Sequence, residues 1–325
     1  MITTLVGNYP KVAERAYGTR LKWQRQELAG AQLEAAYQQV TRAVIQEQEQ
    51  AGLDLLTDGQ IRWDDLLRPI ARGLDGFEIN GLTRWFNNNV LYRRPVLVRK
   101  PSWKRPILVE DYRFAAGCTR KPVKAVLPGP YTFAVLSEDR VYKRLRPFAL
   151  KMAELLRQEA GALAAAGAPL IQFDEPAIGF GKTDLKLAVE ALTVATKGLK
   201  TSAGVTLYFG ALDGAFAALQ RTPVAVIGVD VVSDPKNLAT LARAKITKEL
   251  AVGCLDARNT KLESVRDLHA IFTTLKKRIP LDRVAVTPNC GLEFLPHPQA
   301  VAKVERLVEA VRTFSGQPKG GRSCC

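Results

Sequence analysis

The sequence has no run of about 20 apolar residues, the length a helix needs to cross a bilayer. Its first residues also lack the basic stretch followed by an apolar one that marks a secretory leader. Neither a membrane span nor a signal peptide is expected, and the expected location is the cytoplasm. Cysteine is scarce: Cys118, Cys254, Cys290, Cys324 and Cys325 are an odd number spread thinly over 325 residues, which argues against a disulfide framework and for reduced thiols. Histidine is scarcer, with His269 inside a helical pattern and His297 in a polar connection past the last strand, both poorly placed for zinc and its four or so ligands. No Gly-x-Gly-x-x-Gly fingerprint and no Gly-x-x-x-x-Gly-Lys loop follows any strand-like segment, so dinucleotide and P-loop chemistry find no support. Negative charge is in deficit, with 47 Lys and Arg against 32 Asp and Glu, a formal net charge of +15. Such a balance suits an acidic partner: nucleic acid, an anionic surface or a polyanionic small molecule.

What is present is an alternating α/β pattern with 47% apolar content, enough for a sizeable core. Ile2-Thr-Thr-Leu-Val-Gly7 is a short strand that stops at Gly7-Asn8-Tyr-Pro10, a turn signal. From Leu33, apolar or aromatic positions at 33, 36, 37, 40, 44 and 45 predict an amphipathic helix that Ala51-Gly52 ends. Residues 53–57 form a second strand running into Asp58-Gly59-Gln60. Residues 61 to about 120 break this rhythm with Trp63, Trp85 and Trp103 and a basic, alternating segment at 92–105, read as a hairpin-like insertion with a positive face. Basic residues among aromatics can bind single-stranded nucleic acid, but no nucleic-acid-binding motif accompanies them, and a solvated edge guarded by Lys, Arg and Pro explains them better.

The alternation then resumes, with strands at 123–127, 169–174, 204–209, 224–229, 249–253 and 283–286. Helices at about 138–166, 184–200, 212–220, 235–243, 262–278 and 298–314 separate or follow them. About eight strands, each followed by a helix, predict a (β/α)8 TIM barrel spanning residues 1–314, with the hairpin-like insertion after its second strand and a flexible tail at 315–325. Ligands of such barrels sit at the carboxyl ends of the strands. That directs attention to Gly7 and Asn8, Asp58 and Gln60, Asp174 and Glu175, Asp230, and Cys290. The centre of the pattern is Pro169-Leu-Ile-Gln-Phe-Asp-Glu-Pro-Ala177, a buried strand delivering two carboxylates at its end. Asp174 there is a site candidate, or alternatively a helix cap or loop brace. One thiol among carboxylates is a poor zinc signal, and burial of Cys290 as a structural residue is the simpler expectation.

Thr3-Thr-Leu-Val-Gly-Asn-Tyr-Pro10, Gly52-Leu-Asp-Leu-Leu-Thr-Asp-Gly59, Leu127-Pro-Gly-Pro-Tyr-Thr-Phe133, Ile171-Gln-Phe-Asp-Glu-Pro-Ala177 and Pro288-Asn-Cys-Gly-Leu292 together resemble cobalamin-independent methionine synthase. The resemblance runs over nearly the whole chain, each block at a strand end. It implies methyl transfer from a methyl carrier to the thiol of homocysteine, with zinc lowering the thiol pKa in the catalytic barrel. Carried over, it makes Gly7 and Asn8 part of the amino-acid-binding loop and places Gln60 where the family has a glutamate. Asp174 becomes the carboxylate for the substrate's amino group, and Cys290 the last zinc ligand. The other ligands depart from the pattern: Leu207-Tyr208-Phe209 stands in place of His-x-Cys, and Asp230 in place of a zinc-binding glutamate. A tryptophan after the Gly-Pro turn is replaced by Leu136. Thr206-Leu-Tyr-Phe-Gly210, Gly253-Cys-Leu-Asp-Ala-Arg-Asn259 and Thr83-Arg-Trp-Phe-Asn87 are instead similar to the non-catalytic N-terminal barrel of that enzyme. Three roles are therefore expected to compete: a methyltransferase acting alone or as one subunit; a non-catalytic folate- or substrate-binding partner of a separate zinc-bearing barrel; and, remotely, a nucleic-acid-binding barrel. The methyl carrier, a folate or a corinoid, is left open, and so is any metal role for Cys324 and Cys325 in the tail.

Overall fold

Eight short segments lie side by side in the computed structural model, which describes residues 1–10, 13–88, 90–181, 183–212 and 214–316. Strand β1 (Ile2–Thr3) precedes helices α1 (Ala13–Gln24), α2 (Gly30–Ala51) and α3 (Arg68–Gly73). Strands β2 (Asp75–Arg84) and β3 (Leu91–Ser102) then form an antiparallel ribbon, followed by α4 (Val109–Gly117). Next come β4 (Ala125–Pro128), α5 (Pro130–Leu136), the short β5 (Glu138–Asp139) and α6 (Leu145–Ala165). The chain continues through β6 (Leu170–Asp174), α7 (Leu185–Thr196), β7 (Ser202–Leu207), α8 (Ala215–Leu219) and β8 (Val226–Asp230). It closes with α9 (Lys236–Arg243), β9 (Glu249–Leu255), α10 (Val265–Lys276), β10 (Val284–Pro288) and α11 (His297–Phe314).

Seven of these strands make one parallel sheet in the order β1-β10-β9-β8-β7-β6-β4. The open edges, β1 and β4, are joined by the eighth segment: Leu55 bridges to Thr4 and Leu56 to Val123, both in parallel. The Leu55 N–H donates to the Thr3 carbonyl at 3.1 Å, and the Lys124 N–H to the Leu56 carbonyl at 3.0 Å. The sheet thus curls into the expected (β/α)8 arrangement, its two edge strands linked through Leu55 and Leu56. Strands buried on both faces need continuous apolar residues, as Val226-Ile-Gly-Val229 supplies. Around them α2 lays Leu33, Val40, Val44 and Ile45 against the barrel and stops at Gly52, whose φ of +90° only glycine adopts at no steric cost.

One difference from expectation has a clear cause. Helix α6 begins at Leu145 rather than near residue 138, because Glu138 and Asp139 pair with Val96 and Leu97 of β3. Pro147 then falls in the helix's first turn, where a missing N–H costs nothing. Helix α1, which the sequence pattern did not suggest, precedes α2.

The β2–β3 ribbon folds its tip onto the carboxyl-end mouth of the barrel. Phe86 adopts φ +50° and sets its ring 4.9 Å from that of Phe180 and 5.8 Å from that of Phe209. Arg258, beyond β9, lies over Phe209 and donates to the Asn88 amide oxygen at 3.4 Å. No helix among the described residues is long and apolar enough to cross a membrane. Cys324 and Cys325, and most of the predicted tail, lie outside the described residues.

Candidate functional site

Side chains alternate along a strand, so Gln172 and Asp174 of β6 share one face while Glu175 turns to the other. Asp174 is 3% exposed and enters a hydrogen-bonded layer across the barrel interior. Its Oδ1 accepts from Gln172 Nε2 at 2.7 Å and its Oδ2 from the Tyr208 hydroxyl at 3.2 Å. Gln172 Nε2 also donates to the Val6 carbonyl, and Gln172 Oε1 accepts from Lys124 Nζ, both at 2.7 Å. Burial pushes the Asp174 carboxyl up to about 7, against the pull of Gln172, Lys124 and Tyr208. Burial likewise lowers Lys124 to about 7, against the attraction of Asp174. Two buried, opposite charges that share one amide bridge thus sit near the edge of ionisation.

Asp174 forms part of the floor of a cleft at the barrel mouth. Val6, Asn8 and Gln60 wall it on the side of β1 and residues 53–57, Asp64 and Asp65 follow, and Tyr208, Gly291, Glu293 and Phe294 face them. The ribbon tip closes the top with Trp85, Val90, Leu91 and Tyr92. Two polar atoms in this wall are buried without a hydrogen-bond partner, Asn8 Oδ1 and Gln60 Nε2. Gln60 holds φ +52°, braced where the Asp58 Oδ1 accepts its backbone N–H at 3.1 Å. A non-glycine residue in that conformation together with orphaned polar atoms marks a surface shaped for a ligand.

The expected site residues divide. Asn8, Gln60 and Asp174 line the cleft. Gly7 supports it: its carbonyl accepts from the Thr57 hydroxyl at 2.8 Å, and a Cβ there would come 3.2 Å from the Gln60 side chain. Asp58 braces Gln60 from behind, its carboxyl raised by burial and lowered in part by the Gln60 N–H and Arg62. Glu175 lies elsewhere, accepting from the N–H groups of Tyr131 at 3.0 Å and Thr132 at 2.7 Å at the start of α5. It approaches so closely that a Cβ on Gly129 would lie 2.0 Å from its Cδ. Asp230 is also committed. Its Oδ1 takes the N–H groups of Val232 and Ser233 at 2.8 Å, and its Oδ2 takes the Phe209 N–H and the Asn289 amide at 3.1 and 3.3 Å. Cys290 is fully buried, its thiol raised well above the usual range by burial and by Glu293 and Asp230.

The zinc implied by the family resemblance therefore finds a poor fit. Leu207 and Phe209 offer no donor atom where the family has His-x-Cys, and Asp230 has both oxygens engaged by amides. No group of three His, Cys, Asp or Glu that could hold a metal occurs among the described residues. The histidines serve as braces: His269 meets the Ala310 carbonyl at 2.9 Å, and His297, the first residue of α11 rather than part of a connection, meets Glu47 at 2.8 Å. Lys124, Gln172, Asp64, Asp65 and Glu293 were not singled out from the sequence. Their signal was available only for Gln172, whose i, i+2 spacing from Asp174 puts both on one strand face.

Comparison with known proteins agrees with this architecture. A methionine synthase of Saccharolobus solfataricus is 29% identical over 329 residues, covering 98% of this chain and 96% of that protein. One from Sulfurisphaera tokodaii is 28% identical over 319 residues, covering 95% and 91%. Among solved structures, a B12-independent methionine synthase from a Shewanella species, in complex with selenomethionine, superposes with a TM-score of 0.84 at 24% identity, over 96% of this chain and 97% of that one. A putative vitamin-B12 independent methionine synthase from Listeria monocytogenes gives 0.75 at 14% identity, over 97% and 98%. The model of the family described as cobalamin-independent synthase, catalytic domain, matches residues 1–313, and the chain belongs to that family.

Proposed function

We propose that the cleft binds a homocysteine-like amino acid and that the chain serves methyl transfer to its thiol, as the names of its relatives suggest. The observation that carries this is Asp174, a buried carboxylate whose two oxygens are oriented from behind by Gln172 and Tyr208 and which faces open space in front. A buried carboxylate of this kind is repaid by a cation, and an α-ammonium group fits. The orphaned Gln60 Nε2 offers a donor to the substrate's carboxylate, and Trp85, Tyr92 and Phe294 offer an apolar wall to its side chain. In the transfer the substrate sulfur forms a bond to the methyl carbon, the bond from carbon to carrier breaks with its electron pair staying on the carrier, and the thiol proton passes to solvent or to the released carrier. A folate or corinoid carrier would approach over the ribbon, where Arg93, Arg99 and Lys100 are exposed and favour an anion. A cytoplasmic setting suits such chemistry.

One observation favours a second form of this reading, in which the chain is the binding subunit beside a zinc-bearing barrel. The positions corresponding to the family's ligands are occupied by Leu207 and Phe209, which offer no donor atom, by the saturated Asp230 carboxylate and by the buried Cys290 thiol. The test is calorimetric binding of homocysteine and methionine together with a labelled methyl-transfer assay using methyltetrahydrofolate or methylcobalamin. Binding with turnover by the isolated chain supports the enzyme. Binding with turnover only when a zinc-bearing barrel is added supports the subunit, and failure to bind either amino acid overturns both.

A further inference from the structure

Lys124 is 3% exposed, stands just before β4, and points into the barrel, where the proposed chemistry assigns it no task. Its ammonium lies 2.7 Å from Gln172 Oε1. An ammonium has three donors and no acceptor, so only the oxygen of that amide can face it. The Gln172 NH2 must then point the other way, and there it meets two acceptors at 2.7 Å, the Val6 carbonyl and Asp174 Oδ1. Reversing the amide would set NH2 against ammonium and oxygen against two oxygens. The orientation is thus dictated by chemistry rather than by an arbitrary choice between oxygen and nitrogen.

We infer that Lys124 is a positioning residue for the cleft: without touching the ligand, it locks the Gln172 amide so that Asp174 presents an oriented carboxylate to a cationic group bound above. This deepens the reading of the cleft as an amino-acid site and rests on it. Lys124 does not line the cleft; it lines a second cavity at the amino-terminal end of the barrel, together with Thr4, Gln172 and Thr206. The Lys124–Gln172 layer therefore forms a partition, with the cation on one side and the carboxylate it serves on the other. The other groups that face Asp174 act differently. Tyr208 donates to it and, being raised well above its ordinary range by burial, stays protonated; Glu293 opposes its ionisation. Cys290, held in its thiol form, brings no charge, while Asp64 and Asp65 across the cleft are paired with Arg68 at 2.5 and 2.9 Å, and Asp64 also with Arg72 at 3.1 Å. Lys124 is the cation that offsets Glu293.

The test uses the full chain carrying 13C-labelled aspartate, with the Asp174 carboxyl resonance assigned by its loss in D174N. Lys124→Met replaces the side chain by an apolar one of similar length, and Gln172→Met breaks the relay while keeping the lysine. We expect both variants to raise the midpoint of the Asp174 titration, Lys124→Met by one pH unit or more, and to weaken methionine binding at pH 7 at least tenfold. An unchanged midpoint in either folded variant overturns the inference. If the wild-type chain binds no methionine, the amino-acid reading fails on its own, and the carboxyl titration still decides whether Lys124 governs Asp174.

Discussion

Two halves of the barrel mouth carry carboxylates at strand ends, yet they use them in opposite ways. On the side of β1, residues 53–57 and β6, Asp174 is held from behind and faces open space, with the unpartnered Asn8 and Gln60 atoms beside it. On the side of β7 to β10, Asp230 spends four acceptor positions on three backbone N–H groups and the Asn289 amide, and Cys290 is sealed beside it. The two halves look alike as sequence. A carboxylate belongs to a binding site when its neighbours leave a lone pair unused, and to the scaffold when backbone amides take them all.

The largest effect that could break this contrast is on stability. Asp230→Ala should strand several buried donors at once and cost about 4 kcal/mol in urea denaturation. A variant as stable as wild type would show that the scaffold half is not built on that carboxylate. Next comes Gly129→Ala, which forces a methyl group into Glu175 and should cost about 3 kcal/mol by the same measurement, with methionine affinity preserved in whatever fraction folds. Asp174→Asn should do the reverse. It should cost less stability than either, because Lys124, which burial already lowers to about 7, can shed its proton once the carboxylate is gone, while weakening methionine binding about 30-fold, roughly 2 kcal/mol for a charge-assisted contact. Equal loss of affinity in folded Asp230→Asn would erase the distinction.

Smaller effects should follow from pH and thiol chemistry. The native Asp174 carboxyl is held above the value it has in the unfolded chain, so the native state keeps a proton that the unfolded state has already released. This group's contribution is therefore fully present below the ordinary carboxylate range and is lost as pH rises toward about 7. Denaturation midpoints measured from pH 4 to 7 should rise with pH less steeply for wild type than for Asp174→Asn. Last, in a variant with Cys324 and Cys325 changed to Ser, Cys118 should react with a thiol reagent about 100-fold faster than Cys254 and Cys290. The first is partly exposed; the other two are buried, with Cys254 raised to about 12. Three equal rates would mean that the scaffold half opens readily.

Much of this was legible beforehand. The strand rhythm and its polar punctuation gave the barrel, and the run ending at Asp174 gave its most informative residue. Glu175, adjacent in the same motif, looked equally promising and proved to be an anchor for α5, because neighbouring strand residues face opposite ways and only packing decides which face holds the ligand. Lys124 was hidden for a related reason: a lysine beside a short strand resembles a solvated edge until the strand is seen to close a barrel. Tyr208 and Glu293 join Asp174 from 34 and 119 positions away along the chain, a convergence that no local window contains.

By itself the sequence determined the period of the elements, hence the α/β barrel, and the chemical types available at its mouth, because hydrophobic spacing and strand-end punctuation are local properties. Tertiary structure alone decided which carboxylate remains free, which thiol is sealed and which buried cation stands behind the site, because hydrogen-bond saturation and desolvation depend on neighbours that the chain brings together only when the barrel closes.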